Sequence, residues 1–457
     1  MGVRTILLLL AFAGASVGAL FTPMCGLIGY VLHYNIGPER QWWEAPIQHW
    51  GLRYSLTLAV VTAIGMALHW RDLRYGKTLL LGHEKLILLF LGLVWFSYLI
   101  GEPTTERYTT VDHPAVKFTK LVLFVLMLTH VVSTPERLKV LLWAMVAGAF
   151  ILGWQAWTTP YRQFVSGRLE SVGGSDFNDA NTLAAYLVAL LPLIGVQFLR
   201  SGWWGKAACL AAGVFATNAI VLTRSRGAVL GLAASGMAAL MLSPRGHRLK
   251  IALGLVVAVL GGLYLADPGF MGRASTVTES DEERDPSATS RLEIWEGSIR
   301  MLKAKPLGVG VGNFYQSIGR YAPEQAERDA HNTYVRCYGE LGVQGLAALL
   351  AVLLSAFLLL RRTMRQVKDL PQKQRDDITY VAFGVTTSLA ALMACSITRT
   401  LLYIEFFWWM LAMPVVIWRV AENLRAQGSV VGIAAAPTRS RLPGRSARSS
   451  TVAPSPA

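Results

Sequence analysis

The chain has 457 residues, of which 53% are hydrophobic and only 16% charged, with a mean hydropathy of +0.42 and a formal net charge of +15. A soluble chain carries about 25% charge, and many apolar runs here approach the ~20 residues needed to cross a bilayer, so soluble multidomain, collagenous, disordered and disulfide-scaffold classes are excluded. In a multi-spanning membrane protein the basic excess sets topology, and no nucleic-acid partner is expected.

In chain order, residues 5–34 form the first apolar stretch. Arg4 and an apolar core imitate a signal peptide, but the spans that follow favour an uncleaved anchor, kinked or split at Pro23 and Gly26. Further spans are expected at 52–69, 79–100, 116–132, 138–157, 180–199, 206–222, 226–242, 249–266, 338–360, 378–397 and 400–420. The fold class is therefore all-α, polytopic, with about 12 transmembrane helices and one long outer loop. An N-terminal bundle of about nine spans covers 1–266, the loop 267–337, C-terminal helices 338–420 and a disordered basic tail 421–457. With the N-terminus in the cytoplasm, more than half of the 43 Lys and Arg residues fall on one side in short segments, among them Arg74, Lys77 and Arg245. The positive-inside rule supports that hand. Both termini are then cytoplasmic, and the long loop and the turn at 223–227 lie outside, in the periplasm of a bacterium. Cys25, Cys209, Cys337 and Cys395 read as small core residues.

The outer loop carries local signals. Ser290 and Glu293 match a capping box. Leu292, Trp295, Ile299 and Leu302 then form an apolar stripe on a helix over about 290–304, lying on the membrane surface or on the bundle. The glycine-rich run 306–312 lacks the strand and helix context of a nucleotide loop and reads as a tight backbone path. The acidic run 279–285 reads as solvated loop. Gly339, Gly342 and Gly345 share a helix face suited to close packing.

Three outer features could carry chemistry. Arg224 and Arg226 flank Ser225 between two apolar runs, against the topology rule, and arginine forks suit phosphate oxygens. Arg291 opens the loop helix, where a plain surface arginine is the simpler reading. His331, followed by Asn332 and Tyr334, sits where the loop re-enters the membrane and can take a proton near neutral pH. The cluster 175–181, with Asn178 and Asn181, fits either a helix cap or an acceptor site. No His or Cys spacing suggests a metal, and no cofactor is expected.

In this order the pieces resemble the O-antigen ligase and polymerase superfamily. The resemblance runs through Asn178-Asp179-Ala180-Asn181, Ser225-Arg226-Gly227, Arg291 with Trp295, 305–314, His331-Asn332-Thr333-Tyr334 and 340–346. Residues 23–38 look like the branch of O-glycosylation ligases associated with exosortase systems. The resemblance implies a metal-independent, inverting membrane glycosyltransferase of the bacterial inner membrane with a periplasmic active site. It passes a glycan from an undecaprenyl-pyrophosphate carrier to a hydroxyl of a lipid, protein or polysaccharide acceptor. It assigns acceptor activation to His331 and pyrophosphate binding to Arg226 and Arg291, with Arg224 as an extra cation. A polymerase of the same superfamily is the nearest alternative. A transporter or flippase fits less well, because no internal repeat is visible and the notable charges lie at the outer rim rather than at mid-membrane depth.

Overall fold

The computed structural model describes residues 2–73, 78–103, 108–160, 164–243, 248–266, 271 and 286–434. The acidic run 279–285, the basic residues Arg74, Lys77 and Arg245, and the tail from 435 lie outside the described residues. The protein is an all-α polytopic membrane protein. Among the described residues, nine helices are long and apolar enough to cross a membrane, and Tyr54–Leu68 and Arg226–Leu242 are shorter apolar helices. We number the principal helices α1 Val3–Phe21, α2 Pro23–Ile36, α3 Tyr54–Leu68, α4 Gly82–Ile100, α5 Pro114–Val131, α6 Pro135–Thr158, α7 Ala180–Arg200, α8 Trp203–Thr223, α9 Arg226–Leu242, α10 Arg248–Leu265, α11 Pro286–Ala304, α12 Thr333–Gln366, α13 Gln372–Thr398 and α14 Glu405–Ala434. Each expected span carries helix, and the central core includes the fully buried Trp408, Phe406, Phe118, Phe90 and Tyr186.

The first apolar stretch is two helices. Thr22 is extended, and Pro23 occupies the first turn of α2, a position where its missing N–H costs nothing. Small residues let the two helices fold back on each other. A Cβ on Gly29 would lie 2.8 Å from the Ala15 methyl, and one on Gly26 would lie 2.8 Å from that of Ala19. The hairpin returns the start of α1 to the level of residue 43, where the Thr5 hydroxyl donates to the Trp43 carbonyl (2.5 Å). That level packs on the 173–178 segment through Gly37 and Arg40. At the other face, Arg419 of α14 donates to Glu84 (2.8 Å), which also accepts from Thr129 (2.7 Å). The start of α1 and the end of α14 therefore lie at opposite faces. Splitting the first stretch into two helices reverses only the start of α1 relative to a single span. The last helix also runs to Ala434, past the expected boundary at 421.

Two further expectations change. Helix α11 begins at Pro286, four residues before Ser290, so Ser290 is no cap. Its hydroxyl instead accepts from Arg328, and Glu293 accepts from Gln325. The buried face of α11 is Ile294, Gly297, Ser298 and Met301, whereas Leu292 and Ile299 are exposed. The expected stripe weighted bulk. Close approach selected the small residues, since a Cβ on Gly297 would lie 2.8 Å from that of Ala322.

Helix α12 breaks at Gly342 (φ +74, ψ −170), so the three glycines share no continuous helix face. The run 306–312 packs into the break. Val309 N–H donates to the Gly339 carbonyl (2.9 Å), and Gly310 N–H to that of Glu340 (3.1 Å). The Ser97 hydroxyl joins at the Glu340 carbonyl (2.7 Å). Carbonyls orphaned by the break are thus satisfied, as burial requires. Gly308, Gly310 and Gly312 all take positive φ to follow this path. Gly342→Ala should lower stability by at least about 1–3 kcal/mol, because this backbone region is essentially restricted to glycine and a Cβ would strike the Leu307 backbone. An unchanged Tm in detergent would contradict this.

Candidate active site

The site forms where the loops before α7, between α8 and α9, before α12 and after α13 meet. Asp179 caps α7, its Oδ1 accepting from the N–H groups of Asn181 (2.9 Å) and Thr182 (3.1 Å). The segment before it is anchored through Asp176, which accepts from Lys117 (2.7 Å), Tyr34 (3.1 Å) and the Glu405 N–H (3.1 Å). The helix-cap reading of the 175–181 cluster holds. Asp179 is the cap, while the Asn181 carbonyl oxygen faces the site and accepts from Arg168 (2.9 Å) and Ser225 (2.8 Å). Asn178 is exposed and accepts from Arg40, outside the pocket described below.

The turn at 224–225 is tight. Arg224 ends α8 in the left-handed region (φ +48), and Ser225 caps α9 by accepting from the Ala228 N–H (3.3 Å). Gly227 allows α9 to lie against Thr398, where a Cβ would strike the threonine hydroxyl. Arg224 and Arg226 are thereby presented at the helix junction. Arg291 comes from α11. One turn later, the Trp295 indole N–H donates to the Ala330 carbonyl (2.9 Å), which fixes the helix beside His331. The i, i+4 spacing of Arg291 and Trp295 places both on one face.

These elements enclose a pocket lined by Arg168, Asn181, Arg224, Arg226, Gly227, Arg291 and Thr398. Four guanidinium groups converge there. Such forks bind the oxygens of phosphate or pyrophosphate in pairs.

His331 stands next to this pocket with its side chain 34% exposed. Its backbone is left-handed (φ +47), a conformation uncommon outside glycine but enriched for His, Asn and Asp. Its Nδ1 lies 3.4 Å from Arg399 Nη1 and 3.8 Å from Asp329 Oδ2. Burial, with Arg399 and Arg291, holds its pKa below the ordinary imidazole value, against the opposing pull of Asp329 and Asp179. The ring is therefore neutral, and able to accept a proton, at neutral pH. Burial raises the Asp329 carboxyl, but Arg336, Arg399 and His331 outweigh it and bring it to about 2. Asn332 caps α12 by accepting from the Tyr334 and Val335 N–H groups (2.9 and 3.1 Å), and the Tyr334 hydroxyl donates to the Met393 carbonyl (3.3 Å).

Sequence reasoning missed Arg168, Asp329, Thr398 and Arg399. Arg399 had a usable signal: like Arg224 and Arg226, it is a positive charge at a span edge on the face expected to be outer. Arg168 and Asp329 become visible only through tertiary contacts.

Comparison with known proteins bears on the superfamily that the motifs resemble. A family model described as O-antigen ligase matches residues 211–350, a stretch containing Arg224, Arg226, Arg291 and His331. The chain is 30% identical over 216 residues to the exopolysaccharide production protein ExoQ of Rhizobium meliloti (strain 1021). That similarity covers 44% of this chain and 46% of the relative, so the chain spans about half the length of the curated protein it matches. Both matches support the O-antigen ligase/polymerase superfamily that the motifs resemble.

Proposed function

We propose that the protein transfers a glycan from a polyprenyl (undecaprenyl) pyrophosphate carrier to an acceptor hydroxyl at the face expected to be periplasmic. The observation that carries this reading is the convergence of four arginines in one pocket, with His331 beside it. The carrier tail stays in the bilayer while its pyrophosphate enters the pocket and meets Arg168, Arg224, Arg226 and Arg291. His331 removes the proton as the acceptor oxygen bonds to the anomeric carbon. The bond from that carbon to the pyrophosphate oxygen breaks, and its electron pair leaves on the pyrophosphate. Attack opposite the leaving group inverts the anomeric centre.

The chemistry needs little else. Pyrophosphate is a good leaving group, so catalysis reduces to positioning, offsetting developing charge and removing one proton. The arginines supply the first two, and a positioned base contributes about 10²–10⁴ in rate. The test is complementation of a deletion strain at matched membrane levels, with lipid-linked glycan quantified beside the finished product. The strain lacking the protein should accumulate full-length lipid-linked chains that complementation converts to product. Accumulation of single lipid-linked repeats would make the protein a polymerase. Unchanged glycans with altered uptake into vesicles would make it a transporter.

A further inference from the structure

We propose that Asp329 and Arg399 are positioning residues for His331, acting in opposite senses on the same ring nitrogen. The inference rests on His331 being the base of the proposed transfer. Each partner is clamped from behind. Asp329 Oδ1 accepts from Arg336 Nη1 (2.8 Å), Arg336 Nε donates to Glu340 (2.6 Å), and Glu340 also accepts from the Tyr403 hydroxyl (2.7 Å). Asp329 Oδ2 is left facing the His331 Nδ1 at 3.8 Å and Arg399 Nη1 at 4.0 Å. Arg399 Nε is held by Thr182 Oγ1 (2.9 Å) and Asp179 Oδ1 (3.3 Å), which leaves Nη1 3.4 Å from His331 Nδ1. Arg291 from α11 and Asp179 from the start of α7 are the other charged groups acting on the ring.

One nitrogen cannot satisfy both neighbours. If Nδ1 accepts from Arg399, the neutral ring carries its proton on Nε2, which then has no lone pair to offer. If Nδ1–H donates toward Asp329, Nε2 is open. Only the second state takes the acceptor proton at Nε2, and Asp329 then faces the imidazolium that forms. At 3.8 Å the contact is longer than a hydrogen bond, and catalytic contacts commonly tighten when substrate arrives.

The test is the pH–rate profile of the purified full chain at saturating donor. His331 works as the neutral ring, so activity is lost as pH falls through its titration. Asp329→Asn retains an oxygen for Arg336 but removes the charge that favours the imidazolium. Its acid limb should move to lower pH, with kcat reduced by less than the roughly 10²–10⁴-fold that the base itself contributes. Arg399→Gln removes a charge that disfavours the imidazolium, and its limb should move to higher pH. Unmoved limbs, with only the yield or rate reduced, would overturn the pairing. If Asp329→Asn fails to fold, the Arg399→Gln limb decides alone. Transfer by His331→Ala would overturn the base assignment itself, whereas an inactive His331→Ala with unmoved limbs overturns only the inference.

Discussion

His331→Ala is expected to lose transfer by about 10²–10⁴, the span a positioned general base contributes, while reaching the membrane at near wild-type level. The ring is partly exposed, and its polar neighbours are Arg399 at 3.4 Å and Asp329 at 3.8 Å, so little packing is lost. The backbone adds a qualification with a remedy. At φ +47 alanine costs roughly 1–2 kcal/mol, whereas asparagine visits this region readily. His331→Asn is therefore the cleaner variant, since it keeps the turn into α12 and removes the base. Activity should fall by that factor in both variants, with detergent-extracted protein of the asparagine variant melting close to wild type. Transfer by either at wild-type rate would return His331 to a structural role.

Arg226→Ala and Arg291→Ala should each reduce kcat about 10²–10³-fold, the cost of removing one preorganised donor from a developing anion. The lysine variants decide the geometry. Lysine restores charge but offers a point cation on a flexible stem, where arginine presents a planar fork. Arg226→Lys and Arg291→Lys should therefore recover donor affinity more than kcat. Electrostatic attraction by the remaining arginines persists, while alignment of the leaving pyrophosphate does not. The effects should be less than additive with each other, because the groups share one ligand. Measuring KM and kcat separately in purified protein checks this, and normal kcat in either lysine variant would contradict bidentate binding.

Much of this was legible in the sequence, for reasons that also mark the limits. Hydropathy found the spans because a bilayer demands long apolar runs. Arg224, Arg226 and His331 stood out because polar groups at a span edge are costly without a purpose. The division at Thr22 was invisible to hydropathy, since no Asp, Glu, Lys or Arg interrupts 5–34. It is set by Pro23 and by the matching of Gly26 with Ala19 and Gly29 with Ala15. The face of α11 was misplaced because Gly297 and Ser298 rank low in apolarity but high in closeness of approach. The break at Gly342 depends on backbone groups of 306–310, which no helix-face pattern encodes. Arg168 reaches Asn181 and Arg399 reaches Thr182, from positions far apart in the chain, so their convergence is a tertiary fact.

The most direct test of the central claim is transfer by the purified protein from a synthetic polyprenyl-pyrophosphate glycan to a hydroxyl acceptor, with chelator present. The account predicts one polyprenyl pyrophosphate released per glycan transferred, inversion at the anomeric carbon, and neither product from His331→Asn. Release without transfer, retention of configuration, or full activity in His331→Asn would contradict it.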